Sequence, residues 1–225
     1  MTERKQWLAE RRQAVVATYD DEAPTYDAGY DPVTDVHRRF VARLVETVPP
    51  GGEVLDAACG TAPYAGMVLE AGRRYVGVDQ SSGMLRRAAE KWPDGRFELI
   101  GLQELAFEDA FDGVMCIDAM ENVPPEDWPR VVGRLRRAAT STGHVYLTIE
   151  RIENAEIDAA FEQAKAHGLP VVPGEVIEGD TAGYHFYPAD ERVTAWLADA
   201  GLELVDEADE WLDRYGYRHL LLRVR

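Results

Sequence analysis

The chain of 225 residues holds only two cysteines, Cys59 and Cys116, and neither sits in a C-x-x-C pair. That excludes a disulfide scaffold and a cysteine-rich zinc module. Both thiols lie at the ends of apolar runs, which predicts buried free cysteines in a reducing compartment. No apolar run approaches the roughly 18 residues of a membrane span, and the first residues lack the apolar centre of a secretion signal. A cytoplasmic protein with no membrane partner is expected. Positive charge is also scarce: 24 basic residues face 41 acidic ones, a net charge of −17. Such a surface repels phosphate backbones, so no nucleic-acid partner is expected. The short arginine pairs stand beside acids and read as solvated helix faces. Internal repeats and low-complexity linkers are missing too, so the length fits one domain, as a monomer or homodimer.

What is present alternates. Residues 3–18 and 33–48 carry apolar positions at helical spacing; in the second segment Val36, Phe40, Leu44 and Val48 repeat every four. Pro49-Pro50-Gly51-Gly52 ends that helix. Strand and helix then take turns: EVLDAAC and a helix at 64–71, RRYVGVD and SSGMLRRAAEKW, RFELIG, FDGVMCID, PEDWPRVVGRLRRAA, HVYLTIE. FDGVMCID is almost wholly apolar, as in a sheet covered on both faces. This alternation predicts a doubly wound parallel α/β sheet. After 150 the pattern changes to a helix, a Gly- and Tyr-rich stretch at 169–188, another helix, and two strand-like runs. A short loop separates those runs, so an antiparallel pair at the sheet edge is expected.

Ligands of open α/β sheets bind beyond the carboxyl ends of the strands. Asp56 ends the first strand, before Ala57-Ala58-Cys59-Gly60, where small residues let backbone N–H groups approach a ligand. Asp79 ends the second strand, where a carboxylate can accept both hydroxyls of a ribose. Together they point to a nucleoside-containing cofactor. The turn has one glycine where a dinucleotide fold needs G-x-G-x-x-G, and no arginine stands by to meet a pyrophosphate. A phosphate-free nucleoside bearing an amino acid fits better.

At these residues the sequence resembles the class I S-adenosylmethionine-dependent methyltransferases of small-molecule type. The resemblance runs from about residue 36 to 150, on VLDAACGTAPYA, YVGVDQSSGML, FELIGLQELAF, FDGVMCIDAMENVPPEDW and STGHVYLTIE. Upstream, Tyr19-Asp20, Ala23 and Tyr26-Asp27 match the family's Y-D-x-x-A-x-x-Y-D element. The resemblance implies a Rossmann-like, doubly wound, seven-stranded sheet with an antiparallel last strand. One domain over 1–225 would comprise an N-terminal helical cap (1–48), a cofactor-binding core (53–150), a substrate lid (152–190) and a C-terminal helix with antiparallel strands (191–225). It implies S-adenosyl-L-methionine as cofactor. Tyr19 and Tyr26 would close over its methionine part, bordered by Asp56, Ala58, Cys59 and Gly60. Asp79 would hold the ribose, Gln80 and Met84 would flank the adenine, Leu102 and Gln103 would face its edge, and Asp118 and Met120 would sit beside the sulfonium.

Two positions depart from the family. Ala62-Pro63 stands where a second glycine usually follows G-T, and Leu102 stands where an Asp often meets the adenine amino group. Methyl transfer needs a positioned nucleophile and, for a hydroxyl or ammonium, a base. His185, in the aromatic run GYHFYP with Tyr184 and Tyr187, is the expected base, and those tyrosines the expected substrate contacts. Glu121 and Glu150 follow strands four and five, where either can bind an amine or take a proton. An acidic rim of Glu121, Glu150, Glu175, Glu178 and Asp180 points to an amine-bearing substrate. His37, His144 and His219 read as structural. No metal is expected, because Glu150-Arg151 replaces the Asp-Asn pair of the metal-dependent branch. Methylation of a small molecule is the function expected. The alternatives are a non-catalytic protein that binds the cofactor and, behind it, a nicotinamide-dependent oxidoreductase.

Overall fold

Each of the first five strands is followed by a helix or a tight turn that returns the chain to the same edge, so they pair in parallel. The computed structural model describes residues 3–29, 33–178 and 183–225. The strands of the main sheet are β1 (Glu53–Ala57), β2 (Arg74–Asp79), β3 (Arg96–Leu99), β4 (Phe111–Cys116), β5 (Ala139–Arg151), β8 (Leu202–Leu212) and β9 (Tyr215–Val224). Their order is β3-β2-β1-β4-β5-β9-β8. β1 to β5 are parallel to one another, and β9 runs antiparallel between β5 and β8. The order reverses between β1 and β4, which opens a crevice above their carboxyl ends. This is the seven-stranded sheet with an antiparallel final strand that the sequence implied.

The helices are α1 (Glu3–Glu22), α2 (Tyr26–Gly29), α3 (Asp35–Thr47), α4 (Ala65–Glu70), α5 (Ser82–Lys91), α6 (Trp128–Ala138), α7 (Asn154–Ala166) and α8 (Asp190–Asp199). α3 starts at a Thr34 cap, whose hydroxyl accepts from the His37 amide. Ser81 caps α5 in the same way through the Met84 amide. α3 buries Phe40, Val41 and Leu44 against one face of the sheet, with Val54, Met115 and Tyr146. α6 buries Trp128, Val131 and Leu135 against the other, with Val114 and Leu147. At ~1.5–3 kcal/mol per large apolar side chain, these two layers are the main stabilising term.

Two stretches hold more strand than their sequence suggests. β5 begins at Ala139, five residues before His144, through the polar Thr140 and Ser141. Within the 169–188 stretch, β6 (Glu175–Glu178) pairs antiparallel with β7 (Gly183–Phe186). Neither run alternates apolar and polar side chains over enough length to betray a strand. No helix among the described residues is long and apolar enough to cross a membrane.

Candidate functional site

The turn after β1 folds around left-handed residues. Ala58, Gly60 and Ala62 have φ of 63°, 52° and 58°. Glycine adopts that conformation freely and alanine against steric resistance. The departure at Ala62 therefore keeps the backbone path of a glycine-rich loop. A methyl group sits where a glycine would leave space, and it is fully buried in the α3–α4 layer.

This loop meets the end of β2 at Asp79. The carboxylate accepts from the Gly60 amide at 2.9 Å and from the Ser81 amide at 2.8 Å, one bond to each oxygen. A carboxylate offers about four acceptor positions, so Asp79 keeps acceptor capacity for a ligand beside its backbone donors. Asp56 is buried beside it, with Tyr75 donating to its Oδ2 at 2.6 Å. Burial pushes the Asp56 pKa up to about 7; the Tyr75 bond opposes that and the charge of Asp79 adds to it. Burial raises Asp79 as well, against its backbone donors. Burial also pushes both thiols well up, so Cys59 and Cys116 are buried free thiols of low reactivity.

A cavity of about 460 Å³ opens over these groups, within the range of small-molecule sites. Asp56, Ala58, Cys59, Gly60, Asp79 and Gln80 line one side of it. Met84, Leu102 and Gln103 line another, and Asp118 faces them from the end of β4. Tyr19 and Tyr26 close it from the N-terminal segment, their ring centroids 6.1 Å apart. Six of the sequence-derived positions lie elsewhere. Met120 is fully buried in the core. Glu121 is buried on a 3-10 turn, with Oε1 bonded to Asn122 and Oε2 without a partner; burial, then the charge of Glu150, pushes its pKa well up. Glu150 is at the end of β5, opposite Tyr217. His185 Nδ1 is 3.4 Å from the Tyr187 hydroxyl, on β7 and just after it. Tyr184 is buried and donates to Glu175 at 2.6 Å.

Glu175 itself is fully buried and paired with Arg4 at 2.7 Å, so it fastens β6 to α1 and offers no acidic rim to the solvent. Asp180 lies outside the described residues, as does the side chain of Glu178. Among the described cavity-lining groups, Arg38 of α3 is a cation with no ion pair, whereas Arg12 is paired with Glu104 and Lys91 with Asp27. Arg38 thus adds a positive group to a lining that also holds Asp56, Asp79 and Asp118.

The tyrosine element proves to be an anchor. Asp20 Oδ1 accepts from Ser81 Oγ and from the Gly83 amide, both at 2.7 Å. A Cβ at Gly83 would come within 3.0 Å of the Asp20 carbonyl and 3.1 Å of the Ala23 methyl, so α1 packs directly on that turn. Asp27 accepts from Thr61 at 2.6 Å and from Lys91 at 2.9 Å. Sequence reasoning missed Arg12 and Val15 in the wall, although a signal was there: with Tyr19 placed at the cavity, residues 15 and 12 follow on the same helix face.

The parts agree with the parts a phosphate-free nucleoside needs: a carboxylate pair at the ends of β1 and β2, an apolar slot and an aromatic cover. Comparison with known proteins points the same way. A methyltransferase domain family matches residues 54–143. A demethylmenaquinone methyltransferase from Renibacterium salmoninarum is 26% identical over 206 residues, covering 86% of each chain. A malonyl-[acyl-carrier protein] O-methyltransferase from Serratia marcescens is 31% identical over 158 residues, 68% of this chain and 59% of that one. The structure of magnesium protoporphyrin IX methyltransferase from Synechocystis with bound S-adenosylhomocysteine aligns with a TM-score of 0.70 at 17% identity, over 96% of this chain and all of that one. Sequence motifs, strand order and these likenesses together support a class I S-adenosylmethionine-dependent methyltransferase.

Proposed function

We propose that the chain methylates a small molecule carrying an oxygen-rich or anionic group, with S-adenosylmethionine held over the β1–β4 crevice. The observation that carries the reading is Asp79, fixed by one backbone donor on each oxygen at the cavity wall. In this reading its free acceptor positions take the ribose hydroxyls, Asp56 lies toward the cofactor's cationic part, and Tyr19 and Tyr26 exclude water. The cofactor supplies an electrophilic methyl group. The chain positions the acceptor atom beside it, through the wall formed by Val33, Tyr64, Ile117 and Asp118. Arg38 is the group in that wall able to pair with a carboxylate, an enolate or a phenolate, and so supports an acidic oxygen on the substrate. Glu121 and Glu150 keep the proton-accepting role read from the sequence, with burial and the charge of Glu150 raising the Glu121 pKa. His185 with Tyr187 would act only through a substrate that extends under the lid.

Titration with S-adenosylhomocysteine tests this. Asp79→Ala removes charge-assisted bonds worth ~1.5–3 kcal/mol, roughly ten- to more than a hundredfold in affinity. Unchanged affinity in that variant would sink the assignment.

A further inference from the structure

A second polar cluster adjoins the cavity, and the cofactor chemistry leaves it unused. It joins His37 of α3, Glu210 of β8 and His219 of β9. Each offers one ligating atom, and the three atoms lie within 4.8 Å of one another. Both imidazoles are fully buried, and the Glu210 side chain is 16% exposed. His219 Nε2 stands 3.5 Å from Glu210 Oε2 and has no hydrogen-bond partner.

That distance is informative. It is too long for a sound N–H···O bond. Two ligands on one tetrahedral zinc ion, at ~2.0–2.1 Å each, lie about 3.4 Å apart. The far nitrogens are also arranged as metal-bound histidines arrange theirs. His37 Nε2 is 3.3 Å from Asp118 Oδ1, and His219 Nδ1 is 2.8 Å from the Tyr146 hydroxyl. The inner face of the cluster is bridged by Thr34, whose hydroxyl is 2.9 Å from His37 Nδ1 and donates to Glu210 at 2.7 Å. A bound ion displaces or recruits that hydroxyl.

We propose that His37, Glu210 and His219 form a site for one divalent transition-metal ion of the zinc class. The ion ties α3 to the β8–β9 hairpin. Through His37 it fixes Asp118, which lines the cavity. Two histidines and a carboxylate are a recurrent zinc donor set, and His219 Nε2, with no hydrogen-bond partner, faces Glu210 Oε2. The site takes no part in methyl transfer, and its test does not depend on how the cofactor binds.

The untagged full chain, freed of metal by chelation, is titrated with zinc sulfate against a chromophoric chelator. Saturable binding of one equivalent is expected, with a rise in melting temperature. Cobalt(II) in place of zinc is expected to give the intense visible bands of a four- or five-coordinate ion. Glu210→Gln keeps the shape and the Thr34 contact, and should fold. Since loss of mere outer partners costs about 10–100-fold in metal affinity, loss of this ligand should cost a hundredfold or more. Glu207→Gln, on the same strand but ion-paired with Arg218 on the surface, should leave binding unchanged. Failure of the wild type to bind zinc at ~100 µM, equal binding in Glu210→Gln, or a cobalt spectrum like that of the free ion would each overturn the site.

Discussion

Asp20 and Gly83 are 63 residues apart in sequence, and the Asp20 carboxylate accepts the Gly83 amide proton at 2.7 Å. This bond, with its twin from Ser81, places the end of α1 on the start of α5 and sets Tyr19 over the cavity. These two donors lower the Asp20 pKa, the Ser81 hydroxyl contributing first. Asp20→Ala should lower stability by about 1–2 kcal/mol and weaken S-adenosylhomocysteine binding several-fold, because the aromatic cover loses its mooring. Calorimetric titration and a melting curve check both. Full affinity in a destabilised variant would show that the cover stays seated without Asp20.

The raised pKa of Asp56, about 7, makes cofactor affinity depend on pH. The cofactor's positive charge favours ionised Asp56, so binding releases a proton below that pKa. Affinity should rise with pH from about 6 and level off above about 7.5, by at most tenfold per unit. Without ligand the sign for stability is opposite: the folded pKa exceeds the unfolded one, so this group's contribution is full below about pH 4 and is lost as pH rises through 7. Titrations in two buffers of different ionisation enthalpy measure the proton released. Asp56→Asn should abolish it.

The left-handed loop predicts a pair of opposite effects. A Cβ at Gly60 meets nothing within 4 Å in the free protein, so Gly60→Ala should cost only backbone strain, about 1 kcal/mol. Ala58 already bears that strain at φ 63°. Ala58→Gly should therefore leave stability equal or raise it by about 0.5 kcal/mol, after the entropy of the unfolded glycine is counted. Urea unfolding of the two variants decides this. A loss in both would mean that the Ala58 methyl contributes packing.

Arg4 compensates the fully buried Glu175 carboxylate, which also accepts from Tyr184 and from the Val172 amide. Arg4→Met leaves that charge without its cation and should cost about 3 kcal/mol. Proteolysis should then begin in the 167–188 stretch, ahead of the sheet. Arg4→Lys should recover part of the loss. Uniform destabilisation, with cleavage elsewhere, would separate Arg4 from the lid.

The sheet was legible because its signals are local. Apolar runs such as FDGVMCID and acids at 56 and 79 each act within a few residues of themselves. Periodicity and hydrogen-bonding rules act at that range. The cofactor side of the cavity followed, since strand ends in a doubly wound sheet must converge. The substrate side did not follow. Glu175 reads as one more surface acid, yet Arg4, 171 residues away, draws it into the interior. His185 reads as a lid base, and its Nδ1 lies 3.4 Å from the hydroxyl of Tyr187, two residues on.

By itself the sequence determined the strand order's class, the loop's chemistry and the pairing of Asp56 with Asp79 at one crevice, because chain connectivity leaves a right-handed βαβ unit almost no other arrangement. Only the tertiary structure decided which charges face the cavity, that the two aspartates of the tyrosine element are moorings, and that His37, Glu210 and His219 meet. Those depend on how α1, α3 and the β8–β9 hairpin pack. Packing joins residues by shape and burial, and no spacing along the chain records it.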